Sequence, residues 1–379
     1  MKFNNPYFWS GLILGAVFLF PYQAFAHTEV LTVRTLKNDG SETSSFTLPT
    51  ANLGGGASLT VADLGVDGQP EIIVGNGLGN EPRVHVLRQD GSEIGSFLAY
   101  SADMGTGITV TACDINQNGT NEIITGTQYG GGPQIRLFDN IGTVIGPGFF
   151  AYNEAFRGGV NIACGDIDND GINELITGAG PSGGPHVRIW NFSNNEWNLE
   201  NEFFAFDASD RRGIIPFVKK DGTLVISSEK NSSIDLATYD NQLKLKKLST
   251  VSTTSSGVAD IAELNNEIII SLFDKKIIDE NGNEKFSISG GTAGSKVIVS
   301  DLNLDGTEEI ISTEARPLFG PDGEKYILVD LSEQRLYSYE NGILANTFLV
   351  STAKYPFTTP TGIHSVLAKK PYVDYTWSY

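Results

Sequence analysis

Short apolar runs recur along the chain, each opened by a glutamate and closed by glycine or serine. Four of them are near copies: Glu71-Ile-Ile-Val-Gly75, Glu122-Ile-Ile-Thr-Gly126, Glu174-Leu-Ile-Thr-Gly178 and Glu309-Ile-Ile-Ser312. A second run follows the first three, as Pro82-Arg-Val-His-Val86, Pro133-Gln-Ile-Arg-Leu137 and Pro185-His-Val-Arg-Ile189. A third is aromatic: Phe97-Leu-Ala-Tyr100, Phe149-Phe-Ala-Tyr152 and Phe203-Phe-Ala-Phe206. β-Branched and aromatic residues set between turn formers are the mark of strands. Each repeat therefore reads as a four-stranded antiparallel unit.

A loop of oxygen-bearing residues around one glycine precedes each glutamate-led strand. It reads Asp166-Ile-Asp168-Asn-Asp170-Gly171-Ile-Asn-Glu174 in the third copy and Asp114-Ile-Asn116-Gln-Asn118-Gly119-Thr-Asn-Glu122 in the second. Asp301-Leu-Asn303-Leu-Asp305-Gly306-Thr-Glu-Glu309 is a further full copy, and Asp63-Leu-Gly65-Val-Asp67-Gly68-Gln-Pro-Glu71 a weaker one. The loops start at 63, 114 and 166 and then at 301, a period of about fifty residues with room for two more units. Both can be traced in eroded form. Thr223-Leu-Val-Ile226 keeps the strand with lysines in the loop, and Glu267-Ile-Ile-Ile270 keeps it after a shortened loop without glycine. Neither eroded copy is expected to hold a cation.

Counting gives five complete units and a sixth that stops near Thr313. The missing half is expected at the other end, where Glu29-Val-Leu-Thr-Val-Arg34, Asp39-Gly40-Ser-Glu42 and Ser45-Phe-Thr-Leu48 resemble Arg83-Val-His-Val-Leu-Arg88, Asp90-Gly91-Ser-Glu93 and Ser96-Phe-Leu-Ala99. The fold class is thus all-β, a six-bladed β-propeller over residues 27–315 closed by N-terminal strands. The repeats resemble the FG-GAP family, the calcium-loop propeller repeats also found in integrin α chains. The resemblance covers about residues 28–315. The family's phenylalanine-glycine start is largely replaced here by Gly-Gly or Thr-Gly.

Oxygens at positions one, three and five, a carbonyl at seven and a carboxylate at nine match the way Ca²⁺ is wrapped in EF-hand-like loops. The expected side-chain ligands are Asp166, Asp168, Asp170 and Glu174 in the third loop, joined by the Ile172 carbonyl. They are Asp114, Asn116, Asn118 and Glu122 in the second, and Asp301, Asn303, Asp305 and Glu309 in the sixth blade. The first loop offers Asp63, Asp67 and Glu71 but has Gly65 at position three. The competing reading is an Asx turn, in which Asp and Asn cap their own backbone without metal. With the ligands wrapped by one hairpin, calcium is expected to be structural.

The formal charge of −19, from 45 acidic and 26 basic residues, argues against nucleic acid as a partner. At the N-terminus, Lys2, an apolar run from Leu12 to Phe20 and Ala24-Phe25-Ala26 have the layout of a signal peptide over residues 1–26. The run is about half of the roughly 20 residues a membrane span needs, so no transmembrane segment is expected after signal removal. Export to the cell envelope or the extracellular space follows. Cys113 and Cys164 are too few for a disulfide scaffold. Counted from the loops they should face opposite ways on neighbouring strands, so two small buried apolar residues are expected rather than a bridge. His85 and His186 are expected to decorate the surface of their strands.

After a turn-rich linker at 316–325 the pattern changes. Tyr326-Ile-Leu-Val-Asp330, Arg335-Leu-Tyr-Ser-Tyr339 and Ile343 to Ser351 read as three strands, with a hairpin turn at Glu340-Asn341-Gly342. This tail, with Val350-Ser351-Thr352 and Thr359-Pro360-Thr361-Gly362, resembles the opening of the L,D-transpeptidase catalytic domain over residues 326–379. The resemblance implies peptidoglycan cross-linking by a cysteine nucleophile in a Ser-His-Gly-Cys context, assisted by a histidine. No such motif occurs here and no cysteine follows Cys164. His364 comes too early to match the family's histidine.

No catalytic residue is therefore assigned, and a chain ending at Tyr379 is expected to be a truncated, inactive domain. Two functions compete. The first is a cell-wall transpeptidase positioned by its propeller against peptidoglycan or another envelope component. The second is a calcium-stabilised adhesion or ligand-binding propeller with a vestigial tail. Sequence beyond Tyr379 separates them.

Overall fold

A computed structural model describes residues 30–52, 56–78, 80–230, 233–253, 258–289, 294–315, 325–330, 335–340 and 343–349. The signal-peptide segment, the linker up to residue 324, His364 and the motifs from Val350 onward lie outside the described residues.

Two N-terminal strands, β1 (Val30–Leu36) and β2 (Glu42–Asn52), precede five sheets of one design. The first blade holds β3 (Ala57–Ala62), β4 (Glu71–Asn76), β5 (Arg83–Leu87) and β6 (Glu93–Leu98). The second holds β7 (Ile108–Cys113), β8 (Glu122–Thr127), β9 (Gln134–Phe138) and β10 (Phe149–Phe150), and the third β11 (Val160–Gly165), β12 (Glu174–Ala179), β13 (His186–Ser193) and β14 (Glu196–Phe204). β15 (Ile215–Val218), β16 (Leu224–Lys230), β17 (Ser233–Tyr239) and β18 (Leu245–Ser252) form the fourth blade. β19 (Val258–Leu264), β20 (Glu267–Leu272), β21 (Lys276–Asp279) and β22 (Glu284–Ser287) form the fifth. All five are antiparallel meanders in chain order. The sixth joins the two chain ends, in the order β2-β1-β24-β23, from β23 (Gly294–Ser300) and β24 (Glu309–Ala315).

The first strands of consecutive blades are neighbours, from β3 through β7, β11, β15, β19 and β23 back to β3, so the ring is closed. The chain is an all-β, six-bladed propeller. Blade stacking explains the repeat's composition. The second strands β4, β8 and β12 are buried at every residue, because a neighbouring blade covers each of their faces. They consequently read as unbroken apolar runs, while β6 is exposed at all but one position. The glycine near the end of each run is a packing requirement: a Cβ at Gly75 would lie 2.8 Å from Val110 Cγ1, and one at Gly126 2.7 Å from Val160 Cγ1. Six apolar cores result, one per blade junction.

The ring is fastened by β1, which pairs with β24 through Val33–Thr313 and Arg34–Ser312. The register differs from the sequence alignment of Arg34 with Arg88. Arg34 stands opposite Ser45, as His85 stands opposite Ser96, a slip of three residues. Turn chemistry sets this register: Lys37 N–H to Ser41 and Arg88 N–H to Ser92 close identical turns at 2.9 Å. Buried Glu314 anchors the seam, accepting 2.7 Å bonds from Arg34 Nη1 and the Thr32 N–H.

Cys113 and Cys164 form a disulfide, contrary to the expectation, with Cα atoms 6.2 Å apart. The two residues do face opposite ways, but β7 and β11 belong to successive blades stacked face to face. Opposite faces of successive blades point into one shared core, and both cysteines lie in the core between blades two and three.

The C-terminal segment forms a separate antiparallel meander of β25 (Lys325–Asp330), β26 (Arg335–Glu340) and β27 (Ile343–Leu349), with β26 in the middle. Glu340 pairs with Ile343, the register expected of the tight hairpin.

Candidate functional site

The four glycine loops share one backbone. Position four is left-handed in each, with φ of 56° at Val66, 60° at Gln117, 62° at Asn169 and 60° at Leu304. The glycine at position six has φ between 80° and 89°, and a Cβ there would meet nothing within 4 Å. Glycine is thus demanded by the dihedral alone. The position-one aspartate holds the turn: Asp63, Asp114, Asp166 and Asp301 each accept the glycine N–H at 2.9 Å through Oδ2. The Asx capping considered from sequence is present.

Capping leaves oxygens over. The position-nine glutamate gives one oxygen to the N–H of position two, at 2.8 Å for Glu71, 3.2 Å for Glu122, 3.1 Å for Glu174 and 2.9 Å for Glu309. In the third loop, ligand oxygens of Asp166, Asp168 and Glu174 lie within 4.8 Å of one another. Burial, with Asp168, Glu200 and Asp170 nearby, pushes the Glu174 carboxyl up to about 8. A carboxylate cluster so short of compensation fits a divalent cation. Burial also raises Glu71 and Glu122. In the second loop Asn118 Nδ2 donates to Glu122 at 2.9 Å, and in the sixth Asn303 Nδ2 donates to Glu309 at 2.8 Å. Those two glutamates are already engaged by neutral amides.

The first loop is better provided than Gly65 implies. Asp63 Oδ1 is buried without a hydrogen-bond partner, whereas Asp114, Asp166 and Asp301 use Oδ1 to accept the position-five N–H. That orphaned oxygen fits a cation held by Asp63, Asp67 and Glu71. Glu200 lies outside the loop pattern. It sits on a β-bulge, between Asn201 opposite Ile189 and Leu199 opposite Trp190. Burial and then Asp168 and Asp170 raise its pKa. A strand-four bulge leaves no periodic signal in sequence.

The eroded blades carry ammonium groups instead. Lys219 Nζ lies 3.1 Å from buried Glu263 Oε1, whose other oxygen accepts the Lys220 N–H at 2.8 Å. Lys220 pairs with Glu308 of the sixth blade, and Glu308 also accepts the Asn265 N–H at 3.0 Å. The fifth blade has no loop: Leu264 pairs with Glu267 across Asn265 and Asn266, both with positive φ. Asp260 lies within β19 and accepts the Val297 N–H at 3.2 Å. Full-loop blades are tied differently, by Asn121 Nδ2 to the Asp63 carbonyl at 2.8 Å and Asn173 Nδ2 to the Asp114 carbonyl at 3.0 Å.

His85 is 1% exposed, contrary to the surface role expected. It occupies the strand position that Arg136 and Arg188 fill in blades two and three, where each guanidinium donates to a carbonyl of the preceding blade, Ala99 or Ala151, at 2.7 Å. Burial lowers its pKa. His186 is half-buried, with Nε2 3.1 Å from Glu202 and its ring stacked on Phe204. Among the described residues no histidine adjoins a thiol, and both cysteines are bridged.

No curated protein matches the chain. Among solved structures, BBS1N in complex with ARL6DN is similar at 9% identity and a TM-score of 0.44, over 81% of this chain and 85% of that one. The exotype rhamnogalacturonan lyase YesX is similar at 11% identity and 0.37, over 85% and 69%. A Bacillus licheniformis rhamnogalacturonan lyase is similar at 14% and 0.38, over 83% and 68%. Among the described residues no helix is long and apolar enough to cross a membrane. Residues 324–379 match the YkuD family, the L,D-transpeptidase catalytic domain.

Proposed function

We propose that this chain belongs to an exported cell-envelope protein in which a calcium-braced, FG-GAP-type propeller presents an L,D-transpeptidase-like domain to peptidoglycan. The observation that carries the reading is the family match of residues 324–379. The Cys113–Cys164 bridge supports export, since such bonds persist in oxidising compartments. Acyl transfer of this class needs a thiolate beside a base. The bridged cysteines are not available for that role, so the reading is tested on the full-length gene product and its sequence. A histidine followed by Ser-His-Gly-Cys in that sequence is the expected finding. A protein carrying it should form an acyl-enzyme with a stem tetrapeptide, seen by intact mass. Failure both to exchange stem peptides and to react with a thiol-directed probe overturns the reading.

A bound Ca²⁺ would neutralise the carboxylates of each loop and pin the blade's first hairpin. In the third loop Asp166, Asp168, Asp170 and Glu174 would hold it, and in the first Asp63, Asp67 and Glu71. Metal analysis after dialysis with and without a chelator tests this assignment. A chelator that changes neither metal content nor melting temperature refutes it. A second reading, a ligand-binding or adhesion propeller, is favoured by the bridging of both cysteines, which leaves the given residues without a nucleophile. A full-length protein that forms no acyl-enzyme with a stem tetrapeptide is its expected outcome.

A further inference from the structure

The aromatic runs of blades two and three each turn one ring inward and one outward, as strand alternation requires. Phe149 packs on Trp190 with ring centroids 4.5 Å apart and Phe203 on Tyr239 at 4.8 Å, whereas Phe150 is 42% and Phe204 52% exposed. An outward ring by itself needs no explanation. Its neighbours supply one. A Cβ at Gly132 would lie 3.2 Å from Phe150 Cε1 and 3.6 Å from Arg157 Nη1, and one at Gly184 3.3 Å from Phe204 Cε1 and 3.7 Å from Arg211 Nη1. Ring, glycine and guanidinium thus form the same tile at the same corner of two consecutive blades. Blade one has Leu98, Glu81 and Gly105 at the corresponding places.

Both arginines are held by backbone. Arg157 Nη1 donates to the Glu154 and Phe156 carbonyls at 2.6 and 3.0 Å, and Arg211 Nη1 to the Ala208 and Asp210 carbonyls at 2.7 Å each. Their own carbonyls accept the Gly130 N–H at 2.7 Å and the Ser182 N–H at 2.8 Å. Among the described residues neither arginine forms an ion pair, and Nε and Nη2 of both make no hydrogen bond. Nearby carboxylates are engaged elsewhere, Asp207 with Ser209 and Asp210 with Arg212, while exposed Glu154 pairs with no cation among the described residues. Nε–H and Nη2–H lie along one edge of the planar guanidinium, which a carboxylate meets with two parallel bonds. With Nη1 already fixed, little side-chain freedom is lost when that edge is filled.

We propose that this face of blades two and three binds peptidoglycan through the carboxylates of its stem peptides, one in each guanidinium edge, with the adjoining methyl and methylene groups against Phe150 or Phe204. The inference rests on the reading of peptidoglycan as the propeller's partner and names the surface that meets it. One carboxylate on one exposed arginine is held weakly. Two tiles on consecutive blades engage a repeating polymer together, and the second contact is then intramolecular.

Co-sedimentation of the full chain with purified peptidoglycan sacculi tests the proposal, beside sacculi whose carboxylates have been amidated and beside immobilised poly(glycerol phosphate). Amidation is expected to weaken binding by about tenfold or more, as are Arg157→Gln and Arg211→Gln. Phe204→Ser removes no hydrogen bond and should weaken binding by about threefold. Arg88→Gln, in the exposed turn between β5 and β6, should leave it unchanged. Amidated sacculi require no variant, so the outcome stands even where loss of an arginine disturbs its loop. Equal binding of intact and amidated sacculi overturns the proposal, as does undiminished binding by the variant lacking both arginines. Tighter binding of poly(glycerol phosphate) than of sacculi overturns the carboxylate assignment. A wild-type chain that leaves sacculi unbound overturns peptidoglycan as the partner too, whereas acyl-enzyme formation by the full-length protein does not depend on these arginines.

Discussion

At Glu174 a carboxylate only 3% exposed shares its surroundings with Asp166 and Asp168. Its folded pKa of about 8 lies above the ordinary 4.5, so without a cation the folded state retains a proton that the unfolded chain sheds. Stability is then fullest below about pH 4.5 and falls as pH rises through about 8. Chelated protein is expected to melt at lower temperature at about pH 8 than at about pH 5, and added Ca²⁺ to reverse the loss. Glu174→Gln keeps an acceptor for the Ile167 N–H and removes the charge. It should raise the chelated melting temperature near pH 8 and abolish the gain from Ca²⁺. Gly171→Ala, at φ 89° with no atom in its path, should cost about 1 kcal/mol from the dihedral alone, measured by denaturant titration. The sequence displays these aspartates, the glycine and the glutamate as a spaced pattern. It gives no sign of Glu200, which a bulge on the fourth strand brings up, nor of the left-handed position four, which Val66 and Leu304 occupy as well as Asn169.

The fourth blade has lysines where the full loops have oxygens, and the replacement has an energetic consequence. Lys219 compensates Glu263, whose side chain is 4% exposed. Lys219→Met should therefore destabilise by about 3 kcal/mol through an unpaired buried charge, in chelator and in Ca²⁺ alike. An effect confined to one of the two conditions would contradict the separate roles of lysine and cation. Between blades two and three, the Cys113–Cys164 bridge closes a chain separation of 51 residues, and its reduction should cost about 4 kcal/mol. Chemical denaturation with and without reductant measures this. Parity within a strand was readable from sequence, and both cysteines do point in opposite directions. Which faces meet was not readable, because that depends on blades stacking face to face.

For the whole ring, closure depends on β1 and β2 completing the sheet begun by β23 and β24. Arg34→Ala leaves Glu314 buried without its guanidinium. It is expected to destabilise by about 3 kcal/mol or more, and hydrogen exchange should accelerate first along β1 and β24. Exchange rising equally in all six blades would show that this seam is no weaker than the rest. By itself the sequence determined the blade count, the strand order, the closing terminus and the places of the glycine loops. These are local and periodic properties: apolar runs, turn residues and ligand spacing repeat about every fifty residues. Only the tertiary structure decided the burial of His85, the cysteine bridge and the lysine pairs across three blades. Each of these depends on which surfaces of different blades face one another, and that relation is set by the radial stacking of sheets rather than by any neighbouring stretch of chain.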